Sequence, residues 1–159
     1  MSDTTADLAA DYLVHLSQES GDPLTNLKLQ KLLYYAQGWY LALFGKPLFD
    51  DRIEAWPHGP VVPRVYGRFK DCRWNPIARE VAAPDLPAEV KDHLQEVMQV
   101  IGVNTAYQLE RVTHYEPPWR DARGNLPIDE PSNNEIGTES VKRYFSELLA
   151  ESPNADQVG

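Results

Sequence analysis

Apolar residues recur along most of this chain at the spacing of a helix, and turn-forming residues separate the runs. Leu8, Tyr12, Leu13 and Leu16 predict a first helix over about Thr5 to Gln18, broken by Gly21, Asp22 and Pro23. The second run is the strongest. Thr25 suits an N-cap, Gly45 a left-handed C-terminal position, and Pro47 forbids continuation, so a helix is expected up to Phe44. Its apolar residues go nearly all the way round, which predicts a central helix covered by several neighbours. The polar interruptions are Lys28, Gln30, Lys31 and Gln37. A buried polar group left unpaired costs about 1–3 kcal/mol, so these four need internal partners, and Glu54 is a candidate partner for a lysine.

Beyond Pro47 the pattern shortens. Ile53 to Trp56 reads as a brief strand, and Trp56-Pro57-His58-Gly59-Pro60 as a rigid turn. A third helix is expected over about Val61 to Lys70, with Pro63 in its first turn. Cys72 to Pro87 is irregular. Val90, Leu94, Val97, Met98 and Ile101 stripe a fourth helix, and Thr105 with Gln108 forms a capping-box pair opening a fifth, to about His114. Pro117 and Pro118 are expected to stop it, with at most one further turn over Trp119 to Arg123. Gly124 to Gly137 reads as a loop before a last helix over Thr138 to Leu149. The expectation is a mainly α, compact single domain over residues 1–150, of about five to six helices with a small β element near residues 48–56. Residues 151–159 are expected to form a flexible C-terminal tail.

Composition narrows the setting. The net charge of −9 over 159 residues argues against broad binding to nucleic-acid phosphates. The single cysteine, Cys72, cannot form an intramolecular disulfide and suits a reducing compartment, so a cytoplasmic location is expected. No apolar run approaches the roughly 20 residues needed to span a membrane, and the first residues lack the features of a signal peptide.

Candidate chemistry is sparse. The four histidines and one cysteine show no metal-ligand spacing, no glycine-rich phosphate loop occurs, and no cofactor is expected. His114, Glu116 and Asp121, beside two prolines, are the best acid–base set and would suit a small hydrolase-like enzyme. The plainer reading ends a helix at a protonated His114, packs Trp119 on the core and pairs Arg120 or Arg123 with a carboxylate. Arg64, Arg68, Lys70 and Arg73 form a basic cluster, either a solvated helix face or a docking patch for an acidic partner or a nucleic-acid-binding regulator's target.

The stretch from Leu24 to Tyr40, followed by Gly45-Lys46-Pro47-Leu48-Phe49, Glu54-Ala55-Trp56-Pro57-His58-Gly59-Pro60-Val61-Val62 and Tyr66, closely resembles the Panacea-domain family of phage-associated, SocA-like antitoxins. Leu109, Thr113, His114, Pro118, Trp119 and Ala122-Arg123 resemble its C-terminal motif, and Ile136, Tyr144 and Phe145 its final helix. The resemblance covers about Ala6 to Leu149. It implies an antitoxin that neutralises a protein toxin encoded by an adjacent gene through direct binding, in one described mode as an adaptor for a ClpXP-type protease. No catalytic residue set goes with the family, and it often places an aromatic residue where this chain has His58. The motif residues Lys28, Gln30, Lys31, Tyr35, Trp39, Glu54, Trp56, Gly59, Pro60, His114 and Trp119 are expected to serve the scaffold or contact a partner. Toxin choice is expected on more variable surface, including Asp71 to Ala83 and Gly124 to Gly137.

Overall fold

In a computed structural model, which describes residues 2–151, the chain forms seven α-helices and a two-stranded hairpin. The helices are α1 (Ala6–Glu19), α2 (Asn26–Phe44), α3 (Pro63–Phe69), α4 (Ala88–Val100), α5 (Ala106–Thr113), α6 (Pro117–Arg123) and α7 (Thr138–Glu151). A 3-10 turn, Lys70–Cys72, follows α3. The expected tail lies outside the described residues, apart from Glu151, which still belongs to α7.

Helix α2 is the axis of the molecule. The Thr25 side chain accepts from the Lys28 N–H, and Gly45 closes the other end at φ 75°. Leu29, Leu32, Leu33, Tyr34, Ala36 and Tyr40 are wholly buried, because α7, α4, α1, α5, α3 and the hairpin all pack against it. The closest approach is to α7. A Cβ on Gly38 would lie 2.3 Å from ring carbons of Phe145, so only glycine lets the ring seat there.

Helix α1 faces inward through Ala6, Ala9, Ala10, Tyr12, Leu13, Val14 and Ser17. Leu8, expected on the apolar face, stays 38% exposed. The prolines of Pro117 and Pro118 do not merely end a helix. They occupy the first turn of α6, where a missing N–H costs nothing, and this adds one helix to the number expected.

The expected strand is present, and the turn expected after it also supplies a second. Strand β1 (Glu54–Trp56) pairs antiparallel with β2 (Gly59–Val61), with Ala55 opposite Pro60. The outer edge of β1 is covered by residues 134–136: Ala55 N–H donates to Asn134 O at 2.9 Å, and Ile136 N–H to Ile53 O at 2.8 Å.

Candidate functional site

The polar residues of α2 and the residues of the α5–α6 corner converge on the hairpin. Asn26 Nδ2 donates to Tyr66 O at 3.1 Å, and Gln30 Nε2 donates to Asn26 Oδ1 at 2.9 Å. Gln30 Oε1 accepts from the Val62 N–H at 2.9 Å. Lys31 Nζ, fully buried, donates to Pro60 O at 3.0 Å. From the other side Arg123 Nη1 donates to Ala55 O at 3.0 Å, Trp119 Nε1 to Trp56 O at 2.8 Å, and His114 Nε2 bonds Pro57 O at 2.9 Å. Four carbonyls of one short hairpin are thus each held by a side chain from a helix. Gly59 makes room for this clasp: it sits at φ 111°, and a Cβ there would lie 2.6 Å from Lys31 Cε and 2.9 Å from Thr113 Oγ1.

Burial tunes the groups in the clasp. It pulls the Lys31 ammonium down to about 7, only partly opposed by the Glu110 charge. It also lowers His114, which stacks on Trp119 at 4.3 Å between ring centroids, and so works against the protonated helix terminus of the plainer reading.

One turn further along α2, Tyr34 and Tyr35 donate to Glu116 at 3.0 and 3.1 Å, and Tyr144 of α7 adds a bond of 3.4 Å. Burial drives the Glu116 carboxyl up to about 7, although the three phenols act the other way. The same burial raises the three tyrosines. Edge-on contacts of Phe145 with Tyr34, Tyr35, Trp39 and Tyr144 close the apolar side of the cluster.

The remaining expected residues are placed as follows. Lys28 Nζ donates to Gly102 O at 2.6 Å, and Gln37 bonds Leu48 and Phe49 backbone groups. Glu54 pairs with no lysine. Its carboxylate takes Arg52 Nε and Trp56 Nε1, both at 2.9 Å, because Lys31 is already turned onto Pro60. His58 at the hairpin tip is exposed and bonds Glu110 at 2.7 Å.

Of His114, Glu116 and Asp121, the first and third both line one open groove, His114 with Nε2 turned to the hairpin, whereas Glu116 is sealed among tyrosines away from it. Arg123 pairs with no carboxylate among the described residues; its guanidinium serves backbone carbonyls.

The basic cluster is divided. Arg64 pairs with Asp7 at 2.8 Å, and Arg68 with Asp7 at 3.2 Å and Asp11 at 2.6 Å. Lys70 and Arg73 are exposed, with no ion pair among the described residues. Among the described residues no three His, Cys, Asp or Glu groups converge as a metal site. No helix among them is long and apolar enough to cross a membrane.

The outer face of the α5–α6 corner joins two segments that the sequence singled out separately, the acid–base candidates around His114 and the surface Gly124 to Gly137 expected to choose the toxin. There an open groove of about 840 Å³ runs between Arg111 and Tyr115 on one side and Leu126 and Ile128 on the other. The exposed Tyr115, two residues before Pro117, was its visible signal.

Comparison with known proteins agrees with the motif residues in the clasp. Residues 29–120 match the family described as antitoxin SocA-like, Panacea domain. The chain is also 34% identical to the antitoxin SocA of Caulobacter vibrioides (strain NA1000 / CB15N), over 66% of this chain and 62% of that relative. The chain therefore spans less than two thirds of that relative's length. No solved structure matches. The α2 motif from Leu29 onward, the hairpin and the first turn of α6 fall within the matched residues, and the chain belongs to the SocA-like Panacea-domain antitoxin family.

Proposed function

We propose that this protein is an antitoxin that neutralises a protein toxin, encoded by an adjacent gene, by binding it directly in the cytoplasm. The observation that carries the reading is the use of the motif residues. Lys31, His114, Trp119 and Arg123 spend their donors on hairpin carbonyls, and Glu116 is enclosed by phenols, so the polar residues that looked most like chemistry hold the scaffold. A shared scaffold with its motif turned inward leaves the outer surface to choose the partner. Family membership supplies the class of partner.

The test is co-expression with the product of the neighbouring gene. The reading expects that gene alone to arrest growth, and this chain to restore growth and co-purify with the product. A harmless neighbour, or a toxic one that this chain neither rescues nor binds, would overturn it. Delivery of the toxin to a ClpXP-type protease is a finer version of the same reading. Rescue that vanishes in a strain lacking that protease, with the complex still formed, would establish delivery; rescue that persists would establish neutralisation by binding alone.

A further inference from the structure

The groove at the α5–α6 corner gathers exposed aromatic and aliphatic side chains and unpaired arginines in one concave site. Tyr115 is 73% exposed and Ile128 60%, and Leu126 joins them on the lining. Next to it Tyr107 is exposed beneath the Arg111 guanidinium, 5.9 Å from its ring centroid. Exposed tyrosine, arginine and aliphatic side chains gathered in a concave site are the composition of protein-binding hot spots.

Arg52, Arg64, Arg68 and Arg79 each hold a carboxylate, whereas Lys70, Arg73 and Arg143 are exposed and form no ion pair among the described residues, but none of these three lines the groove. Arg111 and Arg120, both exposed on the groove, form no ion pair among the described residues, and Asp121 beside them is bonded to neither. Arg123 forms part of the lining, its Nε buried without a partner. The lining thus sets three arginines against one aspartate on a molecule whose net charge is −9. Broad phosphate surfaces are repelled by that net charge, whereas a short carboxylate-bearing segment meets only the local field.

We infer that this groove is the toxin-docking site, and that it takes an acidic segment of the toxin whose carboxylates meet Arg111 and Arg120 while an apolar side chain lies against Tyr115 and Ile128. The inference rests on the antitoxin reading and names the surface that reading uses. None of the four side chains takes part in the hairpin clasp, so their replacement leaves the scaffold intact.

The experiment measures affinity of the purified full chain for the purified toxin across a range of ionic strength. Three variants are compared with the unaltered chain: Arg111→Glu with Arg120→Glu, Tyr115→Ala with Ile128→Ala, and Arg143→Glu, an exposed control on α7 outside the groove. Charge reversal is expected to weaken binding roughly 100-fold or more and to abolish the loss of affinity with salt shown by the unaltered chain. Removal of the apolar pair is expected to weaken binding roughly 10-fold or more while keeping the salt dependence. The control is expected to bind normally. Equal affinity of all variants, with the unaltered chain still bound, overturns the groove assignment and leaves the antitoxin reading standing. Failure of the unaltered chain to bind overturns both. If toxin affinity is unchanged while self-association or DNA binding is lost, the groove belongs to a second copy or to nucleic acid, and the assignment is overturned as well.

Discussion

The Glu116 carboxyl accepts from Tyr34, Tyr35 and Tyr144 in a site almost closed to water. Burial raises its pKa from 4.5 in the unfolded chain to about 7 in the fold. The folded state therefore holds a proton that the unfolded state has lost. The contribution of Glu116 to stability is complete below pH 4.5 and is lost as pH rises through about 7. Lys31 has the opposite sign: its contribution is lost as pH falls through about 7, and it changes little between 4.5 and 7. Chemical denaturation on either side of that window should show that Glu116→Gln removes a fall in stability on the order of 2–3 kcal/mol. An unchanged pH slope would contradict the buried cluster. At Gly59 the clasp leaves no space and the backbone sits at φ 111°, so Gly59→Ala is expected to destabilise by about 2–4 kcal/mol, read as a lowered denaturation midpoint. The need for partners at Gln30, Lys31 and Gln37 was legible in the sequence, because polar residues interrupt an otherwise apolar helix. The partners were not. Pro60 O and Phe49 O are backbone atoms made available by a fold, and no side-chain pattern announces them.

Helix limits were legible wherever capping chemistry is local. Thr25 and Gly45 bound α2, and Thr105 with Gln108 forms the complete capping box that opens α5. The misreadings came where one signal has two meanings. Proline both stops a helix and starts one, and at Pro117 the second meaning holds. Tyr12, Leu13 and Leu16 of α1 were read inward correctly, and what was missed was its alanines, which are quieter than leucines. Packing of α2 against α7 tests the central pair directly. Gly38→Ala improves helix propensity by about 1 kcal/mol, yet it is expected to destabilise overall by forcing the Phe145 ring away. Phe145→Ala opens a cavity at a cost of about 3–5 kcal/mol. In the double variant the new methyl occupies space the ring has vacated, so the combined loss should fall short of the sum by about 1 kcal/mol or more. Additive losses in equilibrium denaturation would mean that the two residues do not meet.

At the scale of the whole molecule, acidic character is spent partly on holding elements together. Arg64 and Arg68 of α3 reach Asp7 and Asp11 of α1, which neutralises half of the basic cluster that looked like a docking patch. That pairing joins residues more than fifty positions apart, so charge counted along the sequence could not show it. Changing both arginines to alanine is expected to shift the melting temperature by only a few degrees and to leave toxin binding intact, since exposed pairs contribute little. Loss of binding would return this face to consideration as the partner site. The proposed neutralisation is a direct, stoichiometric association on the outer surface of an inward-turned scaffold. To test it, the purified chain is mixed with the purified product of the adjacent gene, with no protease present, and both the molar mass of the mixture and the activity of the toxin are followed. A stable complex of fixed stoichiometry in which the toxin is inactive is expected. Separate elution of the two proteins with the toxin fully active would contradict it.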